Sequence, residues 1–264
     1  MAFESELEVA LAAAAEAAAI LTARRGADEV REKGRADLVT AVDEASERAI
    51  EARIRGSFPD DAFIAEEFSA SSVHAGRRWV VDPIDGTTNF VHGHPFACVS
   101  IGFLDDQGPA AAVIHAPFLN EVYTATRGGG TYLNGKRVRV SQVEHFSGAL
   151  FATGFPFKEG KGDPEVFFRL VGEVLRQTHG VRRAGAAALD LAYVACGRVD
   201  AYFEVGLSPW DVAAGALLVT EAGGTVSSWP GEPSSAIDSG RVLASNGPLH
   251  QWLEEITRPY GTLL

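Results

Sequence analysis

An α/β (α+β) fold, with sheets sandwiched between helices, is the class this sequence predicts. Short apolar runs of β character alternate with helical stretches through the second half of the chain. Glycine and proline punctuate the helices at starts and stops. The 264 residues are 46% hydrophobic and 22% charged, enough apolar material for a substantial core and ordinary for a globular chain.

In chain order, residues 5–25 predict a helix ended by Gly26. The polar stretch 27–37, with Gly34 inside it, reads as a mobile loop or loose hairpin. Residues 43–55 predict a second amphipathic helix, stopped by Gly56 and Pro59. Short strands are expected at 62–64, 79–81, 97–104 and 111–115. Residues 123–140 hold two turn signals, Gly128-Gly129-Gly130 and Asn134-Gly135, the latter a strong hairpin signal. Asp163-Pro164 opens a helix to about residue 178, and a short strand follows at 181–183. Residues 187–196 are helical and closed by Gly197, and 200–204 form a strand. Ser208-Pro209 opens a helix through Glu221. Strands at 225–228 and 242–245 and a helix after Pro248 complete the chain. The texture changes near 140–150, so two closely packed parts are expected, 1–145 and 146–264.

The formal net charge is −12, and no run of Lys and Arg offsets it, so nucleic acid is not expected as the main substrate. An acidic chain suits divalent cations, although solubility explains net charge equally well. Cys98 and Cys196 stand in apolar sequence and read as buried thiols of a reducing compartment. The Ala-rich start carries Glu4, Glu6, Glu8 and Glu16, unlike a signal peptide or membrane span. A cytoplasmic protein is the expectation.

Four constellations carry candidate chemistry. In Val80-Val81-Asp82-Pro83-Ile84-Asp85-Gly86-Thr87, an apolar strand ends at Asp82, and Pro83 is expected to stop the ladder. Two carboxylates then converge on a turn, which calls for a cation or a shared proton. Magnesium fits, with its preference for oxygen ligands and phosphate. An ordinary surface turn uses the same residue types. Phe63-Ile64-Ala65-Glu66-Glu67 is a second strand ending in carboxylates, or a solvated strand end. Ser208-x-x-Asp211 reads as a capping box with Pro209 at the first helical position, without any ligand. Thr40-x-x-Asp43 reads as another, and Lys33 precedes it in a polar loop. His92, His94 and His115 form no catalytic arrangement, and no Walker-type loop or Gly-x-Gly-x-x-Gly turn is present.

Together these segments resemble the inositol monophosphatase family. Trp79-Val-Val-Asp-Pro-Ile-Asp-Gly-Thr-Thr-Asn-Phe-Val-His92 is similar to its first signature, and Trp210-Asp-Val-Ala-Ala-Gly-Ala-Leu-Leu-Val-Thr-Glu-Ala-Gly-Gly224 to its second. The segment from Gly185 to Arg198 is similar to the bacterial branch. The resemblance runs from the first predicted helix to about Asn246. It implies a layered αβαβα sandwich of the sugar-phosphatase type.

The resemblance further implies a magnesium-dependent hydrolase of a phosphorylated polyol, myo-inositol monophosphate first, with metal-activated water as nucleophile. Glu66, Asp82 and the Ile84 carbonyl would hold one ion, and Asp82, Asp85 and Asp211 a second. A third, weaker ion would involve Glu66 and the Lys33 loop. Glu66 and Thr87 would orient the water, with Asp43 accepting from Thr87. Phosphate would meet the Gly86 and Thr87 amides. The polyol would meet Asp85, Gly185, Ala186, Ala187, Glu204, Asp211 and, more weakly, Arg183. Ala186 replaces a hydroxyl residue common in relatives, and Ala65 replaces a glycine. Relatives also cleave fructose 1,6-bisphosphate, histidinol phosphate or adenosine 3′,5′-bisphosphate, and Lys158 and Lys161 are the candidates for a second phosphate pocket. Bacterial relatives are linked to transcription and ribosomal RNA maturation. Homodimers and lithium inhibition are usual in the family.

Overall fold

A computed structural model describes residues 3–24, 30–34, 37–68, 75–156, 162–230 and 234–261, with the side chains at 30–34 and 37–39 outside that description. The elements run α1 (Glu4–Ala23), β1 (Val30–Gly34), β2 (Asp37–Thr40), α2 (Ala41–Ser57), β3 (Ala62–Ala65) and β4 (Arg78–Asp85). Next come α3 (Thr87–Val91), β5 (Cys98–Asp105), β6 (Gly108–Ala116), β7 (Glu121–Thr126), β8 (Gly130–Leu133) and β9 (Lys136–Val138). The second half holds β10 (Leu150–Thr153), α4 (Pro164–Gln177), β11 (Gly180–Arg182), α5 (Ala187–Ala195) and β12 (Ala201–Val205). It ends with α6 (Pro209–Glu221), β13 (Thr225–Ser227), α7 (Ala236–Ser239), β14 (Arg241–Ser245) and α8 (His250–Thr257).

Strands β3 to β9 form a seven-stranded sheet in sequence order, parallel at β3–β4 and antiparallel beyond. Five more strands form a mixed sheet in the order β11-β10-β12-β14-β13. Strand alternation divides their side chains between three cores. On β5 and β6, Val99, Ile101, Phe103, Ala111 and Val113 face α1 and α2, burying Ala13, Ala17, Ile50 and Ile54 with them. The alternate residues Cys98, Ala112 and Ile114 face a middle core with Leu189 and Leu191 of α5 and Val212 and Leu218 of α6. Tyr202, Val242 and Ala244 close that core from the second sheet. The second sheet's other face, with Phe151, Phe203 and Leu243, meets Phe167 and Leu170 of α4 and Leu253 of α8. The layers are therefore helix, sheet, helix, sheet, helix, as expected.

The expected hairpins are present. Asn134 (φ 49°) and Gly135 (φ 74°) both take the left-handed backbone that a two-residue hairpin needs, between Leu133 and Lys136. Gly128 to Gly130 turns β7 into β8 and is held by the Glu221 carboxylate, which accepts from the Gly128 and Gly130 amides. The loose hairpin near Gly34 is β1–β2.

Two expectations are corrected and one strand is new. Pro83 does not stop its strand: β4 continues to Asp85 through a bulge. Gly56 lies inside α2 rather than ending it. Strand β10, between β11 and β12 in its sheet, had no counterpart in the sequence reading. Among the described residues, no helix is long and apolar enough to cross a membrane.

Candidate active site

The bulge in β4 is what brings the signature carboxylates together. Asp82 pairs with Ser100 and Asp85 with Cys98, so three steps on β4 face two on β5. Residues three apart on a regular strand point to opposite faces. Here the extra residue restores them to one face. Ile84 enters the core beside α1 and α2, while Asp82 and Asp85 turn toward the middle layer. The missing proline N–H costs nothing at a position where the ladder is already interrupted.

Helix starts supply the rest. Asp85 caps α5 from a distance: its Oδ1 accepts from the Ala187 amide (3.2 Å) and its Oδ2 from the Ala188 amide (2.7 Å). Ala186, at the cap position, has no side chain to do this. Asp211 is the third residue of α6, and its Oδ2 accepts from the Ser208 amide (2.7 Å). The capping reading of Ser208-x-x-Asp211 is correct, and the same carboxylate also joins the cluster. Ligand oxygens of Asp82, Asp85 and Asp211 all lie within 4.8 Å of one another. Ser100 steadies the α6 start, its hydroxyl donating to the Trp210 carbonyl (3.2 Å).

Around this cluster stand the other candidates. Thr87 begins α3, after Gly86 in left-handed backbone (φ 89°). Its hydroxyl lies 3.0 Å from the Ile84 carbonyl and 3.4 Å from Asp43 Oδ1. Asp43 Oδ2 accepts from the Thr40 amide (2.8 Å) and hydroxyl (2.6 Å), the expected capping box. Glu66 follows β3, half-buried, outside the three-carboxylate set but close enough for its charge to act on Asp82. On the second sheet, Glu204 is half-buried and accepts from the Tyr202 hydroxyl. Arg183 lies over the Phe155 ring and lowers the pKa of Glu204 by its charge. Gly185, Ala186 and Ala187 lead into α5 beside Asp85. Lys33 belongs to β1, but its side chain lies outside the described residues, as do Lys158 and Lys161.

The electrostatics is that of like charges brought together, with Asp43, Asp82 and Asp85 buried and Glu66, Glu204 and Asp211 half-buried. Burial pushes Asp82 well above the usual carboxylate range, and the charges of Glu66, Asp85, Asp211 and Asp43 push it further. Burial, then Asp211, raises Asp85 to about 7, against the pull of the α5 amides. Asp43 rises to about 6 through burial, despite its bonds from Thr40. Glu204 rises to about 8, burial again leading. Such a cluster is stabilised by protons or by a cation. Its donors are carboxylate and carbonyl oxygens, which suit magnesium. The one adjacent sulfur, Cys98, donates its thiol to Asp85 Oδ2 (3.7 Å), and burial pushes its pKa up, so it stays a thiol. Cys98 is thus a neighbour of the cluster rather than a plain core residue; both cysteines are free, but Cys196 is half-buried rather than buried as expected.

Sequence reasoning missed three residues here. Asn89 clamps two loops, donating to the Phe96 (2.7 Å) and Ala184 (2.9 Å) carbonyls. Asp190 is buried near Glu204, Asp85 and Arg183. Its signal was available: a lone carboxylate in the apolar helix Ala-Ala-Leu-Asp-Leu-Ala. Glu47, buried on α2, sits four residues after Asp43 and therefore on the same helix face.

Comparison with known proteins agrees with this geometry. The model of the inositol monophosphatase family matches residues 3–261. The chain is 45% identical over 235 residues to "Nus factor SuhB" of Pseudomonas aeruginosa, covering 88% of this chain and 86% of that one. It is 41% identical over 258 residues to "Inositol-1-monophosphatase" of Synechocystis sp., covering 96% and 87%. Among solved structures, the extragenic suppressor protein suhB from Bartonella henselae superposes with a TM-score of 0.88 at 36% identity, covering 96% of this chain and 98% of that one.

Proposed function

The chain belongs to the inositol monophosphatase family, and we propose that it is a magnesium-dependent phosphatase releasing phosphate from myo-inositol monophosphate. The observation that carries this reading is the convergence of Asp82, Asp85 and Asp211 within 4.8 Å, with Asp82 and Asp85 buried and pushed up in pKa by that burial and by the neighbouring carboxylate charges. In it, Glu66, Asp82, the Ile84 carbonyl, Asp85 and Asp211 hold two or three ions. Magnesium bound there supplies positive charge to the phosphoryl oxygens and acidifies the attacking water.

The protein's own groups do the remainder. Thr87 and Glu66 orient the water, and Asp43 takes up hydrogen bonding from the Thr87 hydroxyl, 3.4 Å away. The Gly86 and Thr87 amides, with Lys33 from β1, meet the phosphate. Asp85, Glu204 and Asp211 accept from polyol hydroxyls at the 185–187 turn, with Arg183 beside them. A homodimer in the cytoplasm completes the reading. Phe168 and Leu175, 53% and 54% exposed on α4, offer an apolar patch on the second half.

Phosphate release from inositol 1-phosphate, with and without magnesium, tests this in wild type and Asp85→Asn. Turnover should require magnesium and fall in the variant by more than about 100-fold, beyond the cost of losing an outer-shell partner. Magnesium binding without turnover would move the substrate to fructose 1,6-bisphosphate, histidinol phosphate or adenosine 3′,5′-bisphosphate. A second reading is favoured by the name of the Pseudomonas relative, a Nus factor. Co-purification of transcription components that survives Asp85→Asn would support such a role, independent of catalysis.

A further inference from the structure

Helix α2 turns Val42, Ile50 and Ile54 into the core, and Glu47 lies on the same side at 0% exposure. A carboxylate in that stripe carries a desolvation cost that an apolar side chain would not. What offsets it is visible. Glu47 Oε2 accepts from the Glu67 amide (2.8 Å) and Oε1 from the Phe68 amide (2.9 Å). Those amides belong to the turn directly after Glu66. Strand β3 is the edge of its sheet and ends at Ala65, so the turn has left the ladder that would otherwise fix its backbone. Among the charges acting on Asp82, that of Glu66 comes first. One turn earlier on α2, Asp43 faces Thr40 and Thr87. A single helix face thus reaches both flanks of the carboxylate cluster.

We infer that Glu47 is a positioning residue for the metal site: by gripping the Glu67 and Phe68 amides it sets where the Glu66 carboxylate stands relative to Asp82. This rests on the metal-dependent reading above. Glu47 acts through the backbone and through Glu66, so its effect should vanish where Glu66 is already disabled.

The test is a magnesium titration by calorimetry of wild type, Glu47→Gln, Glu66→Gln and the double variant, with amide exchange followed in the metal-free protein. Glu47→Gln should weaken magnesium binding about 10- to 100-fold, the range for partners that orient a ligand. Exchange should quicken at the Glu67 and Phe68 amides. Saturating magnesium should restore most of kcat, which a general loss of structure would not allow. The double variant should bind no more weakly than Glu66→Gln alone. Glu47→Asp keeps the charge but withdraws it by one methylene, and should show the same defect if Glu47→Gln does not fold. Unchanged affinity in the Glu47 variants beside a wild type that binds, or additive losses in the double variant, overturns the inference alone. A wild type that takes up no magnesium overturns the metal reading and this inference with it.

Discussion

Thr87 carries one hydroxyl proton and stands between two acceptors, the Ile84 carbonyl at 3.0 Å and Asp43 Oδ1 at 3.4 Å. The second distance is long for a hydroxyl bond, so the carbonyl holds the proton in this geometry. A ligand engaging that carbonyl would hand the proton to Asp43, whose other oxygen is already committed to Thr40. The two residues then act as one unit. Thr87→Val and Asp43→Asn should each lower kcat by about 10- to 100-fold. The double variant should be no slower than the worse single one, and multiplied losses in single-turnover phosphate release would show that they act separately. Read from their own spacing, Asp43 and Asp211 are capping residues, and only the family resemblance gives them a place in the site. The capping reading was correct and incomplete, because a carboxylate has two oxygens and a cap uses one. The pattern Ser/Thr-x-x-Asp looks the same whether the other oxygen meets solvent or a site.

The β4 bulge is the element on which the site depends, and it was the least legible. Proline after an apolar run predicts a strand end, so the sequence placed Asp82 and Asp85 on a free turn. The ladder instead resumes at Asp85, opposite Cys98. Strand β10 was missed for a different reason: Leu150 to Thr153 is four residues long, too short to show a period. It is a strand because β11 and β12 flank it on both sides. Gly86 closes the bulged segment at φ 89°, and a Cβ there would lie 2.9 Å from the Phe96 carbonyl oxygen. Gly86→Ala should therefore cost about 1–3 kcal/mol of stability from backbone strain, read by urea denaturation. It should also lower kcat/KM, because relief of that contact shifts Thr87. A variant as stable and active as wild type would mean that the turn is not under this constraint.

At the scale of the molecule, residues 1–145 and 146–264 separate the two sheets but not their cores. Helix α6 comes from the second part and packs Ala213 against Gly102, Val80 and Leu104 of the first sheet. We expect one cooperative unfolding transition, with calorimetric and van't Hoff enthalpies equal. Its pH dependence follows from the charge trapped between the layers. Unfolded carboxylates titrate near 4, whereas in the folded chain Asp43 titrates at about 6, Asp85 at about 7 and Glu204 at about 8. Between roughly pH 4 and 8 the metal-free native state therefore holds more protons than the unfolded chain, and its stability falls as pH rises. A cation replaces those protons, so magnesium binds more tightly at higher pH. Scanning calorimetry of the metal-free protein should give a Tm that declines from pH 5 to pH 8. At one fixed magnesium concentration the rise in Tm should be larger at pH 8 than at pH 5, and should correspond to about 2.7 kcal/mol at the pH where that concentration is 100 times the Kd. A metal-free Tm that climbs across this window would mean that the carboxylates are ionised and paired in the native state, and that the cluster does not need a cation to hold together.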